Sequence, residues 1–151
     1  MSNGRPPMRM RQKLILRIVG KSFVPFILLF ALYVQFHGDF GPGGGFQAGV
    51  IFASGIVLYG LIYGLDDAKR VLPVSWVETG LALGVLLYGG TGVVGMLRGE
   101  EFLNYNVLAQ DPHHGQHYGL LLIEGGVGLA VTCAMTLIYY LFAGRGQGEA
   151  S

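Results

Sequence analysis

Apolar residues in this chain fall into four long runs, each bounded by charge, glycine or proline. The first extends from Leu14 to Phe36 and is broken only by Arg17 and Lys21, leaving an uncharged stretch from Ser22 to Phe36. Basic side chains at one end of such a run can keep their stems in apolar surroundings and their charges at an interface. Pro25 lies near that end, where it is either tolerated or kinks the helix. The second run, Phe46 to Tyr63, has Gln47, Ser54, Tyr59 and Tyr63 as its polar side chains. Its roughly 18 residues at a rise of about 1.5 Å span about 27 Å, close to the hydrocarbon thickness of a bilayer. The third, Val74 to Leu97, holds one acid, Glu78, and the fourth, Tyr118 to Phe142, holds one acid, Glu124.

These runs predict helices at about 14–36, 46–63, 74–97 and 118–142, giving an all-α integral membrane protein with four transmembrane helices over 14–142. A basic tail, 1–13, and a glycine-rich mobile tail, 143–151, flank this domain. The opening residues lack the apolar core and small-residue cleavage site of a signal peptide. Between the runs lie the turn HGDFGPGGG, the short polar connection GLDDAKRVLP and a polar loop from Arg98 to His117. Glycines around Pro42 rule out a regular element through the first of these.

Composition supports lipid as the solvent. With 52% hydrophobic residues, 13% charged and 26 glycines, and a mean hydropathy of +0.51, a chain of this size could not bury its apolar surface in water. The single cysteine, Cys133, offers neither a disulfide framework nor a zinc cluster.

Four spans place both termini on one side. Arg5, Arg9, Arg11, Lys13, Arg17, Lys21, Lys69, Arg70 and Arg145 fall on that side and Arg98 alone on the other. The bias predicts both termini in the cytoplasm of a multi-pass plasma-membrane protein, with the glycine-rich turn and the Arg98–His117 loop outside. Tyr63, Trp76, Tyr139 and Tyr140 suit the inner interface, and Tyr33, Phe36, Phe46 and Tyr118 the outer. Small residues recur every four positions: Gly45, Gly49 and Ala53; Gly80 and Gly84; Gly128, Thr132 and Thr136. That interval flattens a helix face for a close neighbour, in this chain or in another.

Four groups could carry chemistry. An acid at mid-membrane costs about 2.5–3.5 kcal/mol, so Glu78 and Glu124 each require a partner, a hydrated path or a proton. Glu78 can pair with Lys21 or Arg17, sit at the interface near Trp76, or relay protons. Glu124 continues into Gly128, Thr132 and Thr136 at four-residue intervals, which reads as a polar lining or as a hydrogen-bonded contact between helices. The two acids differ in depth by roughly 15 Å along their helices, too far to share one proton. Lys21 is an orientation signal or a counter-charge for Glu78. His37 and Asp39, beside the glycine turn, are a proton pair or stabilise the turn. His113 and His117 have the spacing of helical metal ligands, with His114 between them, but Gly115 weakens the helix and no carboxylate is spaced to complete a site.

The segment FHGDFGPGGGFQAGVIFAS, residues 36–54, resembles the signature of the B subunit of Mrp-type, or Mnh-type, multisubunit cation/proton antiporters. His37, Gly38, Asp39, Pro42, Gly43, Gly44, Gly45, Phe46, Gln47 and Gly49 all stand in register with it. The resemblance implies a small accessory membrane subunit, without cofactor or enzymatic turnover of its own, in an assembly exchanging sodium or another monovalent cation for protons. It implies other antiporter subunits, lipid, sodium ions and protons as partners, and no nucleic acid. Glu124, Glu78, Lys21, Thr132, Thr136, His37 and Asp39 are the candidates for bordering an ion path, while Pro42, Gly43, Gly44, Gly45, Phe46, Gln47 and Gly49 form the structural signature. A stand-alone membrane enzyme or metal transporter using the outer histidines is the competing reading.

Overall fold

The computed structural model describes residues 8–38, 43–97 and 112–148, and within these the side-chain surroundings at 15–38, 43–94, 96–97 and 119–145. Five helices follow in order: α1 (Met8–Phe36), α2 (Gly45–Tyr63), α3 (Leu65–Val71), α4 (Val74–Leu97) and α5 (Pro112–Gly148). All but α3 contain a segment long and apolar enough to cross a membrane: Ile15–Phe36, Gly45–Tyr63, Val74–Val94 and Gly119–Arg145. The fold is all-helical with four membrane-length helices among the described residues.

Three boundaries differ from those expected. Helix α1 begins at Met8, ahead of Leu14, because Met, Arg, Gln and Lys are good helix formers and nothing between Met8 and Lys13 interrupts them. It also runs through Pro25. The polar connection after α2 is itself a helix, α3. Gly64, at φ 103°, breaks the chain between α2 and α3. Asp66 and Asp67 in the first turn of α3 and Lys69 and Arg70 in the last then complement its dipole. Finally, α5 covers 37 residues instead of about 118–142. Pro112 suits a first helical position, and one glycine at 115 costs only about 1 kcal/mol, too little to stop so long a helix. At the other end, residues 143–148, expected in a mobile tail, remain helical, with Gly144 packed near the Leu65 side chain.

The helices stand in a row rather than a closed ring: α1 packs on α2, α2 on α5, and α5 on α4. Helix α5 is the centre, and α1 and α4 are the flanks. Contacts between α2 and α5 rise together along both helices, from Gly45 against Glu124 to Gly60 against Tyr139, so these two helices are parallel. Helix α3 lies across one end of the row, burying Leu65 and Ala68 in a cluster with Val77, Cys133 and Tyr140. The Tyr140 hydroxyl donates to the carbonyls of Ala68 (3.1 Å) and Leu72 (3.0 Å), tying α3 to α5.

The small-residue faces do their packing within this chain. A methyl group built on Gly49 would lie 2.7 Å from the Gly128 carbonyl oxygen, and one on Gly84 would lie 2.6 Å from the Ala130 nitrogen. Ala53 is buried in the same α2 face. Outward surfaces are instead large and apolar, including Phe26 and Leu86, as lipid or a neighbouring subunit requires.

Candidate functional site

The candidate site forms where the end of α1, the start of α2 and Glu124 of α5 meet. Gly44 caps α2 at φ 140°, a conformation that an L side chain resists, and its carbonyl accepts the first helical bond from Ala48 N–H (3.0 Å). The next residue, Gly45, is pressed against the backbone carbonyl of Glu124, where no β-carbon would fit. This close approach fixes the level at which α5 passes the start of α2.

The consequence is the position of the Glu124 side chain. Both of its carboxylate oxygens lie 2.9 Å from where a methyl group on Gly38 would stand, and Oε1 lies 3.4 Å from the corresponding point on Gly44. Glu124 is half-buried beneath the two ends of the glycine-rich turn. It sits beside the amino-terminal end of α2, where unpaired backbone N–H groups and the helix dipole favour a negative charge.

Below Glu124, one face of α5 carries the four-residue series Gly128, Thr132, Thr136 and Tyr140. The Thr132 hydroxyl reaches the Gly128 carbonyl at 2.7 Å and, across the helix interface, the Gly49 carbonyl at 3.2 Å. Thr136 donates to the Thr132 carbonyl at 2.7 Å and is 0% exposed. The stripe is therefore open near Thr132 and sealed at Thr136 within this chain. A notch of about 270 Å³ lined by Gln35, Gly49, Phe52, Gly125, Gly128 and Thr132 opens beside the upper part of the stripe. The Gln35 carbonyl oxygen reaches within 2.6 Å of the point a methyl on Gly128 would occupy, so Gly128 makes room for that amide.

The other sequence candidates are placed elsewhere. His37 is exposed at the end of α1, its ring stacked on Tyr33 with centroids 4.3 Å apart. Phe46 and Gln47 are exposed on the first turn of α2, both lining an outward groove between α1 and α2. Gly43 approaches the Val34 carbonyl. Asp39 and Pro42 lie outside the described residues, as do the side chains of His113, His114 and His117.

Glu78 is exposed on α4 next to the buried Val77. The level of Gly80 against Cys133 puts it about 16 Å along the helix from Glu124. It makes no ion pair with a described residue, and the proposed pairing with Lys21 or Arg17 is not formed. That pairing fails for a simple reason: Lys21 is on α1 and Glu78 on α4, at opposite ends of the row. Among the described residues the ion pair formed is Arg70 with Asp67, at 3.6 Å.

Sequence reasoning missed two contributors. Gln35 is a lone amide in an otherwise apolar stretch of α1, and its polarity at that depth was the available signal. Tyr140 was assigned to the interface as an anchor, whereas it is 3% exposed and ties α5 to α3.

Comparison with known proteins bears directly on this geometry. The family described as "Domain related to MnhB subunit of Na+/H+ antiporter" matches residues 15–137, a range that contains the glycine-rich turn, Glu124 and Thr136. This chain belongs to that MnhB family. Among its relatives are proteins named "Putative antiporter subunit mnhB2" from Staphylococcus aureus strains Newman, COL and USA300. Each is 34% identical over 90 residues, covering 60% of this chain and 63% of the relative. The aligned part thus spans somewhat less than two thirds of those relatives. In this MnhB-family chain the closely packed α2–α5 contact and the acid beside it both fall within the matched domain.

Proposed function

We propose that this chain is an accessory membrane subunit of a multisubunit sodium/proton antiporter, and that Glu124 borders the route taken by protons or cations through the assembly. The observation that supports this reading is the placement of the Glu124 carboxylate against Gly38 and Gly44, at the head of a helix whose family relatives bear the name of an antiporter subunit. Glu124 lies near one end of its span, level with the first residue of α2, where the helix amino terminus favours a negative charge.

In this reading Gln35 and Thr132 are the polar groups next along the route, and the notch beside them faces a neighbouring subunit that completes it. Thr136, sealed within the chain, lies off that route. Glu78, exposed on the flank of α4, meets a neighbouring subunit or a hydrated surface of the complex. Nine basic residues on the side of the termini against Arg98 on the other support a cytoplasmic location for both ends. His37, at the end of α1, then stands at the outer mouth.

Gentle detergent extraction followed by mass spectrometry tests membership in the assembly. Co-purification with several larger membrane proteins is expected, together with loss of sodium-driven proton movement in vesicles from cells lacking the chain. Purification as a lone species, with cation efflux intact in its absence, would overturn the proposal.

A further inference from the structure

At the opposite end of the α1–α2 pair from α5's acid, the structure holds a feature that the proposed function does not use. Lys21 projects from α1 into a groove of about 360 Å³ lined by Val24, Pro25, Tyr59 and Tyr63. Lys21 is exposed and lies within a membrane-length segment, and no described acid pairs with it. Arg17, one helical turn earlier on the same side of α1, is also exposed. Along α1, Lys21 is about 21 Å from Gln35, so it does not reach the Glu124 region.

The walls of the groove are preformed. Gly20 leaves room for the Ile62 side chain, so α1 and α2 cross closely beside Lys21. The Tyr59 and Tyr63 rings pack against each other on the α2 wall, centroids 4.6 Å apart and planes tilted by 32°. Val24 and Tyr59 also line a second, narrower slot of about 120 Å³ that passes Leu28 and continues to Ala68 of α3 and to Leu72, the residue after that helix. A cation at one end of an apolar trough, at the level where a helix enters the bilayer, is complementary to a molecule with an anionic head and a hydrocarbon tail.

We propose that this groove is a binding site for an anionic phospholipid. Its phosphate pairs with the Lys21 ammonium, with Arg17 adding field from the next turn. The Tyr63 ring and hydroxyl border the headgroup, and one acyl chain lies along Val24, Pro25 and Tyr59. The bound lipid fills the seam between α1 and α2 and satisfies a lysine that the chain leaves without a counter-charge among its described residues.

The test uses the full chain in detergent, incubated with equal amounts of phosphatidylglycerol and phosphatidylcholine and examined by native mass spectrometry. The wild type should retain the anionic lipid by about fivefold over the zwitterionic one, the effect of one basic residue near an anionic headgroup. Lys21→Gln should bring the ratio close to one, and Lys21→Arg should keep most of it. In the assembled complex, phosphatidylglycerol with a photoreactive acyl chain should label the peptide containing Val24 and Pro25 or that containing Tyr59. Val24→Trp, which fills the trough without removing the charge, should reduce the labelling while circular dichroism stays unchanged. Equal retention of the two lipids, a preference untouched by Lys21→Gln, labelling confined to other surfaces, or a partner subunit's helix cross-linked into the groove would each overturn the proposal.

Discussion

Replacing Gly84 by alanine tests whether α4 and α5 are held at glycine-limited separation. The added methyl would lie 2.6 Å from the Ala130 nitrogen, 2.7 Å from the Gly126 carbonyl oxygen and 2.9 Å from the Ala130 α-carbon. All three are backbone atoms, so no rotamer change relieves the overlap. Ordinary contact needs about 3.5 Å, and the two helices must separate by roughly 0.9 Å at this level. Such overpacking costs about 1–3 kcal/mol, offset by about 1 kcal/mol from alanine's better helix propensity. Gly89→Ala, on the same helix with open space around the new methyl, keeps the propensity gain and has no clash. The two variants should therefore differ by about 1–3 kcal/mol, with Gly84→Ala the less stable. Reversible unfolding of the full chain in mixed micelles of mild detergent and dodecyl sulfate, followed by circular dichroism, measures that gap. Equal stabilities would refute close α4–α5 packing at this level.

Other outcomes follow from individual contacts. Gly38→Ala sets a methyl 2.9 Å from both Glu124 oxygens, so the carboxylate must move. Sodium-driven proton transport by the assembled complex should fall in this variant, and wild-type transport would contradict the site geometry. Tyr140→Phe strips the donor from the Ala68 and Leu72 carbonyls. It should cost about 1 kcal/mol and speed amide exchange in α3, whereas unchanged exchange there would argue against the tie. Thr132→Val removes a bond to Gly49 on another helix and should cost about 0.6 kcal/mol, a typical value for such bonds in membranes. Thr136→Val loses only a bond within its own helix and should cost less in the same unfolding assay; the reverse order would discount the interhelical bond.

Much of the fold was legible because lipid imposes so simple a pattern: a helix must be long and apolar, and glycine or charge must end it. The small-residue intervals were legible too, but not their partners. Gly49 against Gly128 and Gly84 against Ala130 depend on the order of helices in the row, which no local pattern encodes. Helix α3 was hidden because seven residues are too few for an apolar period, and its stability comes from Leu65, Ala68 and the Tyr140 hydroxyl. At the site, the place of Glu124 along a membrane-length helix was readable from its run. That the carboxylate sits beside Gly38 and Gly44 was not, since residues 38 and 124 are joined only by the way α1, α2 and α5 pack. The Lys21–Glu78 pair was plausible by depth alone and fails because α1 and α4 occupy opposite flanks.

The most direct measurement is sodium-driven proton movement in vesicles carrying the assembled complex with Glu124→Gln, in parallel with Glu124→Asp and Glu78→Gln. Assembly is checked by co-purification. Glu124→Gln should assemble but transport at background, Glu124→Asp should retain a measurable part, and Glu78→Gln should stay closer to wild type. Full transport by an assembled Glu124→Gln complex would contradict the account, leaving that carboxylate as a packing element beneath the turn.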